Sequence, residues 1–127
     1  MEYSDREPFR GIDSTGFVLL TTFRRDGTPV PTTVWIVRDG ERMIVTSSAD
    51  AGKTKRVRAT GRVTLASSDV AGNTDGESVE GRARVLPDDE VEGLVPLFHE
   101  RYGEQARQLM ASHTGMFTRA MIEILPA

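Results

Sequence analysis

The residues best suited to chemistry lie between Val45 and Leu65: Val-Thr-Ser-Ser-Ala-Asp-Ala-Gly-Lys-Thr-Lys-Arg-Val-Arg-Ala-Thr-Gly-Arg-Val-Thr-Leu. A strand-like run ends in hydroxyls, and a turn of small residues follows. Then come Lys53, Lys55, Arg56, Arg58 and Arg62, with no acid among them. A helix start offers unpaired N–H groups and the positive end of a dipole. Hydroxyls and a lysine beside such an end make a cradle for phosphate. Lys53 and Arg56 fall on one helical face, and Lys55 and Arg58 on another. Two cationic faces suit two anionic groups or one long anionic tail. A charge run is usually just a solvated face. Such faces carry balancing acids at four-residue spacing, and here they are missing.

The segment Gly27-Thr28-Pro29-Val30-Pro31-Thr32-Thr33-Val34-Trp35 is the second candidate. Its prolines cannot donate to a ladder, which reads either as protection of a sheet edge or as a way of leaving backbone groups spare for a flat heterocycle. Trp35 adds a large flat surface, although a lone tryptophan is more often core or interface. His99 and His113 stand in no metal-binding spacing. No nucleophile elbow, P-loop or dinucleotide fingerprint is present, and there is no cysteine. With so little acid–base machinery, an enzyme of this sequence needs a cofactor to do the chemistry.

These residues must be positioned by one domain, because the chain has 127 residues. We read it as a single unit over 1–127, with 1–14 as a short or poorly ordered flank. The net charge of −3 argues against general nucleic-acid binding. No apolar run approaches the roughly 18 residues needed to span a bilayer, and no signal core precedes the domain. The expected location is the cytoplasm. Strands are expected at Gly16–Thr22, Val30–Val37, Arg42–Ser47, Val63–Ser67, Glu77–Val85 and Phe117–Leu125. Asp26-Gly27 and Asp39-Gly40 supply hairpin turns. A basic helix over Asp50–Thr60 takes Ser48 or Asp50 as its N-cap. A second helix starts at Pro87-Asp88-Asp89-Glu90 and buries Val91, Leu94, Val95 and Phe98. The loop Asp69–Ser78 reads as mobile from its Gly, Asn and Asp content. Six short strands with hairpin connections close most easily into a small, mainly β, antiparallel barrel.

Several of these segments together resemble the F420-dependent branch of the pyridoxamine-phosphate-oxidase-like superfamily. They are Leu19–Trp35, Gly52–Arg58 followed by Arg62–Leu65, Val79–Ala83, and Arg101-Tyr102-Gly103. They run in the expected order from about Gly16 to the C-terminus. The resemblance implies a split β-barrel, of the FMN-binding split-barrel type, that forms a homodimer with its cofactor at the interface. It implies phosphate ligands at Thr46, Ser47 and Lys53, with Lys55 and Arg56 helping to hold the acidic tail of coenzyme F420. It also implies backbone contacts from Thr32, Thr33 and Val34 to the ring. FMN-using members commonly carry an arginine where this chain has Thr32, which argues against FMN in its usual pose. The implied activity is hydride transfer from reduced F420 to an enone, quinone, nitro compound or tetrapyrrole. An FMN enzyme, or a non-catalytic flavin, deazaflavin or haem binder, is the alternative. Tyr102, His113 or solvent would supply the proton. Trp35, Ile36 and the apolar face of the last strand are the expected dimer contacts.

Overall fold

A computed structural model describes residues 9, 11–12, 15–74, 76–111 and 118–127, without the side chains of 109–111. The elements run β1 (Phe17–Phe23), β2 (Pro29–Asp39), β3 (Arg42–Ser48), α1 (Gly52–Thr60), β4 (Arg62–Ser68), β5 (Val79–Val85), α2 (Asp88–Tyr102), α3 (Glu104–Ala111) and β6 (Arg119–Pro126). The six strands close into one barrel in the order β1-β2-β3-β6-β5-β4, and every pairing is antiparallel. This is the mainly β barrel expected from the hairpin signals.

Alternation along the strands fills the barrel. Val18, Leu20, Ile36, Met43, Val45, Val63, Leu65, Ile122 and Ile124 all point inward and are buried. Val57 of α1 joins the same cluster, so this helix closes one mouth of the barrel. A second cluster forms on the outside. There α2 lays Val91, Leu94 and Phe98 over Val37, Ile44 and Met121, and Ala106 of α3 joins them.

Two expectations are corrected here. Phe9 and Ile12, read as part of a loose flank, are buried in the barrel core. Arg38 also donates to the Phe9 carbonyl at 2.9 Å. Two apolar residues in a polar stretch show no period, so nothing in the sequence marks them. Ile36 and the last strand were expected at a dimer contact. Ile36, Met121, Ile122 and Ile124 are instead fully buried within the protomer. Within the last strand Ile122 and Ile124 face the barrel core and Met121 lies under α2, while Leu125 near its end stays exposed.

The outer layer is pinned by two polar devices. The Tyr102 hydroxyl accepts from the Ile36 N–H at 2.9 Å and lies 2.6 Å from the Gly16 carbonyl and 2.9 Å from the Ile36 carbonyl. It stands in for a ladder bond where β1 has not yet begun. Its ring stacks on Trp35 with centroids 4.3 Å apart and planes 8° apart. On the other side, Glu123 is buried and accepts from Arg42 at 2.7 Å and Arg84 at 2.8 Å. Arg42 also pairs with Asp39 at 2.9 Å.

Tyr102→Phe leaves the Ile36 N–H without its acceptor, and a loss of about 1–3 kcal/mol is expected in denaturant unfolding. The Arg84 and Arg42 guanidiniums hold the Glu123 carboxyl below its ordinary value of 4.5, against the opposing effect of burial. A depressed carboxylate stabilises the fold above its unfolded pKa, and this contribution is lost as pH falls through the folded one. Unfolding free energy therefore drops as buffers are taken below pH 4.5. Glu123→Gln flattens that dependence and costs roughly 1.5–3 kcal/mol at neutral pH.

Candidate functional site

The barrel wall opens between β2 and β3. β2 and β3 pair only from Ile36↔Val45 to Asp39↔Arg42. The first half of β2 pairs with β1 alone, and Thr46–Ser48 of β3 pair with β6 alone. A split runs between them. Both backbone polar groups of Ile36 meet the Tyr102 hydroxyl, beside Gly16 at the head of β1, so Ile36 is turned to the β1 side. The period of two turns Val34 and Thr32 the same way, and Thr33 and Pro31 toward the split. Proline has no N–H to leave unpaired at such an edge. Of the three residues expected to meet a ring, Thr33 therefore offers its main chain to the split. The Val34 side chain is buried in the barrel core, and Thr32 is half-buried.

At the foot of the split, β3 turns into α1. The expected cap is corrected: Ala51 occupies the N-cap, with no side-chain cap bond and no acid in the first turn. Thr54 explains why. Its hydroxyl reaches back to the Ser48 carbonyl at 2.7 Å, and this bond forms the turn. With that proton committed, the Ser47 hydroxyl is the donor in the 2.9 Å contact with Thr54. Ser47 is thus buried and holds the corner together. Thr46 keeps its own proton, because its oxygen accepts from Arg119 Nη1 at 2.7 Å.

The cations divide by role. Arg56 Nε donates to the buried Thr22 hydroxyl at 2.6 Å, at the barrel mouth. Its guanidinium also lies against the start of the helix, where a Cβ on Gly52 would come within 2.8 Å of Nη1. Arg58 donates to the Ala49 carbonyl at 3.1 Å. Lys55 is exposed. Lys53 is half-buried and makes no hydrogen bond or ion pair among the described residues. Burial, with Arg56 adding repulsion, pushes its ammonium below the usual lysine pKa. Burial also lowers the pKa of Arg119. The fold therefore gathers Thr46, Ser47, Lys53 and Arg56 at one corner and sets Thr33 along the split. Arg119 belongs to that corner too, and sequence reasoning missed it. Only the pairing of β6 with β3, across more than seventy residues, brings it there.

Among the described residues no group of His, Cys, Asp and Glu could hold a metal ion. Of the expected proton donors, Tyr102 has its hydroxyl on backbone groups and His113 lies outside the described residues. The loop after β4 differs from expectation in its first half. Asp69 accepts from the N–H groups of Ala71 and Asn73, each at 2.9 Å, and from Asn73 Nδ2 at 3.1 Å. Its carboxylate ties 69–73 into a closed turn. Gly72, at φ +93°, sits so close to β2 that a Cβ would lie 2.9 Å from Thr33 Oγ1.

Among the described residues no helix is long and apolar enough to cross a membrane. No curated protein matches the chain. Solved structures with a similar fold include HutZ, a haem storage protein from Vibrio cholerae. It is 17% identical, with a TM-score of 0.69 over 93% of this chain and 86% of that one. A conserved hypothetical protein from Mycobacterium tuberculosis is 20% identical, with a TM-score of 0.67 over 99% and 81%. A structure described as an F420 reductase is 22% identical, with a TM-score of 0.58 over 91% and 92%. At such identities the likeness is one of fold. The match to a sequence family is broader in its meaning, for it takes in residues 7–127. The split barrel and this match agree, and the chain belongs to the pyridoxamine 5'-phosphate oxidase family.

Proposed function

We propose that this protein is a coenzyme F420-dependent oxidoreductase, acting on a small organic electrophile such as an enone, quinone, nitro compound or tetrapyrrole. The observation that carries the reading is the open start of α1. A half-buried Lys53 without a partner among the described residues, a neighbouring Arg56 and an acid-free first turn stand at the foot of the barrel split. Three positive features in one corner fit a group that brings its own negative charge.

Lys53 binds a phosphate there as a point charge, and Thr46 adds a hydroxyl donor. Ser47 supports the corner from beneath, through Thr54. Arg56 and Lys55 face an acidic tail, and Thr33 lends its N–H and C=O to the rim of a flat ring. The position where FMN-using relatives carry arginine is Thr32, a neutral side chain that is half-buried here. That absence of charge favours a deazaflavin over FMN, as does the fold shared with an F420 reductase. Reduced deazaflavin, when bound, supplies a hydride. The chain contributes seating, orientation and the exclusion of water. The proton that completes the product comes from solvent or His113, since the Tyr102 hydroxyl is engaged on backbone groups. The proposed protein is a cytoplasmic homodimer with the split facing its two-fold partner. Sedimentation as a stable monomer would remove that part of the proposal.

One observation favours a second reading, a binding module without turnover: Tyr102, the described residue expected to donate a proton, has its hydroxyl on backbone groups. Bound cofactor that reduces none of the four acceptor classes would select it.

Calorimetric titration with F420 and FMN separately is the direct test, with the tighter constant expected for F420. Equal or tighter FMN binding would sink the deazaflavin assignment. Lys53→Ala weakens F420 binding by roughly 1.5–3 kcal/mol, the size of a charge-assisted hydrogen bond. Because an anion holds only the charged ammonium, affinity falls as pH rises through the lowered Lys53 pKa, below the ordinary 10.5. In Lys53→Ala this fall disappears.

A further inference from the structure

The closed turn at 69–73 forms one wall of a cavity of about 430 Å³ at the head of β1. Phe17 and Val70 supply its apolar surface, and Thr15, Asn73 and Thr74 its polar rim. Asp69 is the one charged residue among the described residues of its lining, and that carboxylate already accepts three N–H donors inside the turn. Thr15 braces the opposite side by donating to the Ser68 carbonyl at 2.6 Å. Val70 is 71% exposed at the rim of this cavity.

The location matters as much as the lining. Leu19 is paired with Thr33, and Phe17 with Trp35, across β1 and β2. The cavity thus opens two residues along β1 from the neighbour of Thr33. Gly72 of the same turn rests on the Thr33 hydroxyl, with Leu19 Cδ1 3.8 Å from where a Cβ would be. The wall of the cavity and the strand proposed to hold the ring are one packed unit. Its volume lies in the range of small-molecule sites, about 300–1,000 Å³.

We infer that this cavity is the acceptor pocket of the proposed reaction, and that it takes a small, uncharged, mainly apolar molecule. The inference rests on the reading of the split as the cofactor site. Val70 is the specificity residue on its outer lip. Asp69 is a positioning residue that fixes the turn without touching the acceptor. The Asp69 charge, with no cation among the described residues of the lining, selects against anionic acceptors.

The test uses the full chain, with and without F420, and 1,4-naphthoquinone as a neutral probe beside its sulfonated, anionic analogue. Two-dimensional NMR should show transfer from the quinone protons to the Val70 methyls and the Phe17 ring. The sulfonate should show none at equal concentration. Val70→Asp should raise the naphthoquinone dissociation constant at least fivefold while the F420 constant and the melting temperature stay unchanged. Asp69→Ala should weaken naphthoquinone binding as well, and Asp69→Asn should restore part of it. The inference is overturned if the quinone contacts other residues or does not bind. It also fails if the sulfonate binds as tightly, or if Val70→Asp leaves the constant unchanged. Failure of F420 to bind would strike the cofactor reading instead, and the probe contacts measured on the cofactor-free chain still decide the pocket.

Discussion

Antiparallel neighbours in a barrel wall stay paired only while they run toward the same partners, and β2 and β3 stop doing so after Ile36 and Val45. Beyond that point β2 leans on β1, and β3 leans on β6. A strand edge within a closed barrel is a liability, since exposed N–H and C=O groups invite another chain. Here Pro29 and Pro31 remove two of the donors on the edge that faces the split. What remains open is short, centred on Thr33. The rest of the candidate site is arranged around this gap, because β3 parts from β2 at Val45 and runs on into the turn that begins α1.

Two charged corners of the molecule show how differently the same residue types can be used. Around Glu123, cations and acids meet in a closed set: Arg42 and Arg84 on Glu123, with Asp39 completing the coordination of Arg42. That corner fastens β3, β5 and β6 together and leaves little for a ligand. Around α1 the cations outnumber their acceptors. Arg56 and Arg58 find only neutral oxygens, and Lys53 finds none among the described residues. A half-buried ammonium beside a guanidinium is unfavourable by Coulomb repulsion and by loss of hydration. Such an arrangement persists at a cost to stability, which is the physical reason to look for its anion.

The outer helix connects these corners to the rest of the chain. α2 covers Val37, Ile44 and Met121, and its final residue carries the hydroxyl that finishes the β1–β2 ladder. Its Trp35 contact places an aromatic stack directly behind the edge at Thr33. Displacement of α2 would therefore alter the split without touching any cationic residue. On the opposite side, the turn closed by Asp69 leans on Thr33 through Gly72. The short open edge is held from both flanks.

Local chemistry in the sequence determined a good deal. Period-two alternation set the strands and their inward faces, Asp-Gly turns set the hairpins, and the apolar spacing from Val91 to Phe98 set the helix that covers the barrel. The acid-free cluster on α1 and its position after a hydroxyl-bearing strand were legible because both are properties of adjacent residues. The N-cap was not, since Thr54 competes for the turn and leaves Asp50 outside it. Nor were Phe9 and Ile12 in the core, Arg119 beside Thr46, the burial of Ser47, or the ordering of the 69–73 turn against Thr33. Each of these depends on segments far apart in the chain meeting at a particular register. Registers are chosen by closure of the whole barrel and by packing on both faces of its wall, and no window of neighbouring residues carries that information.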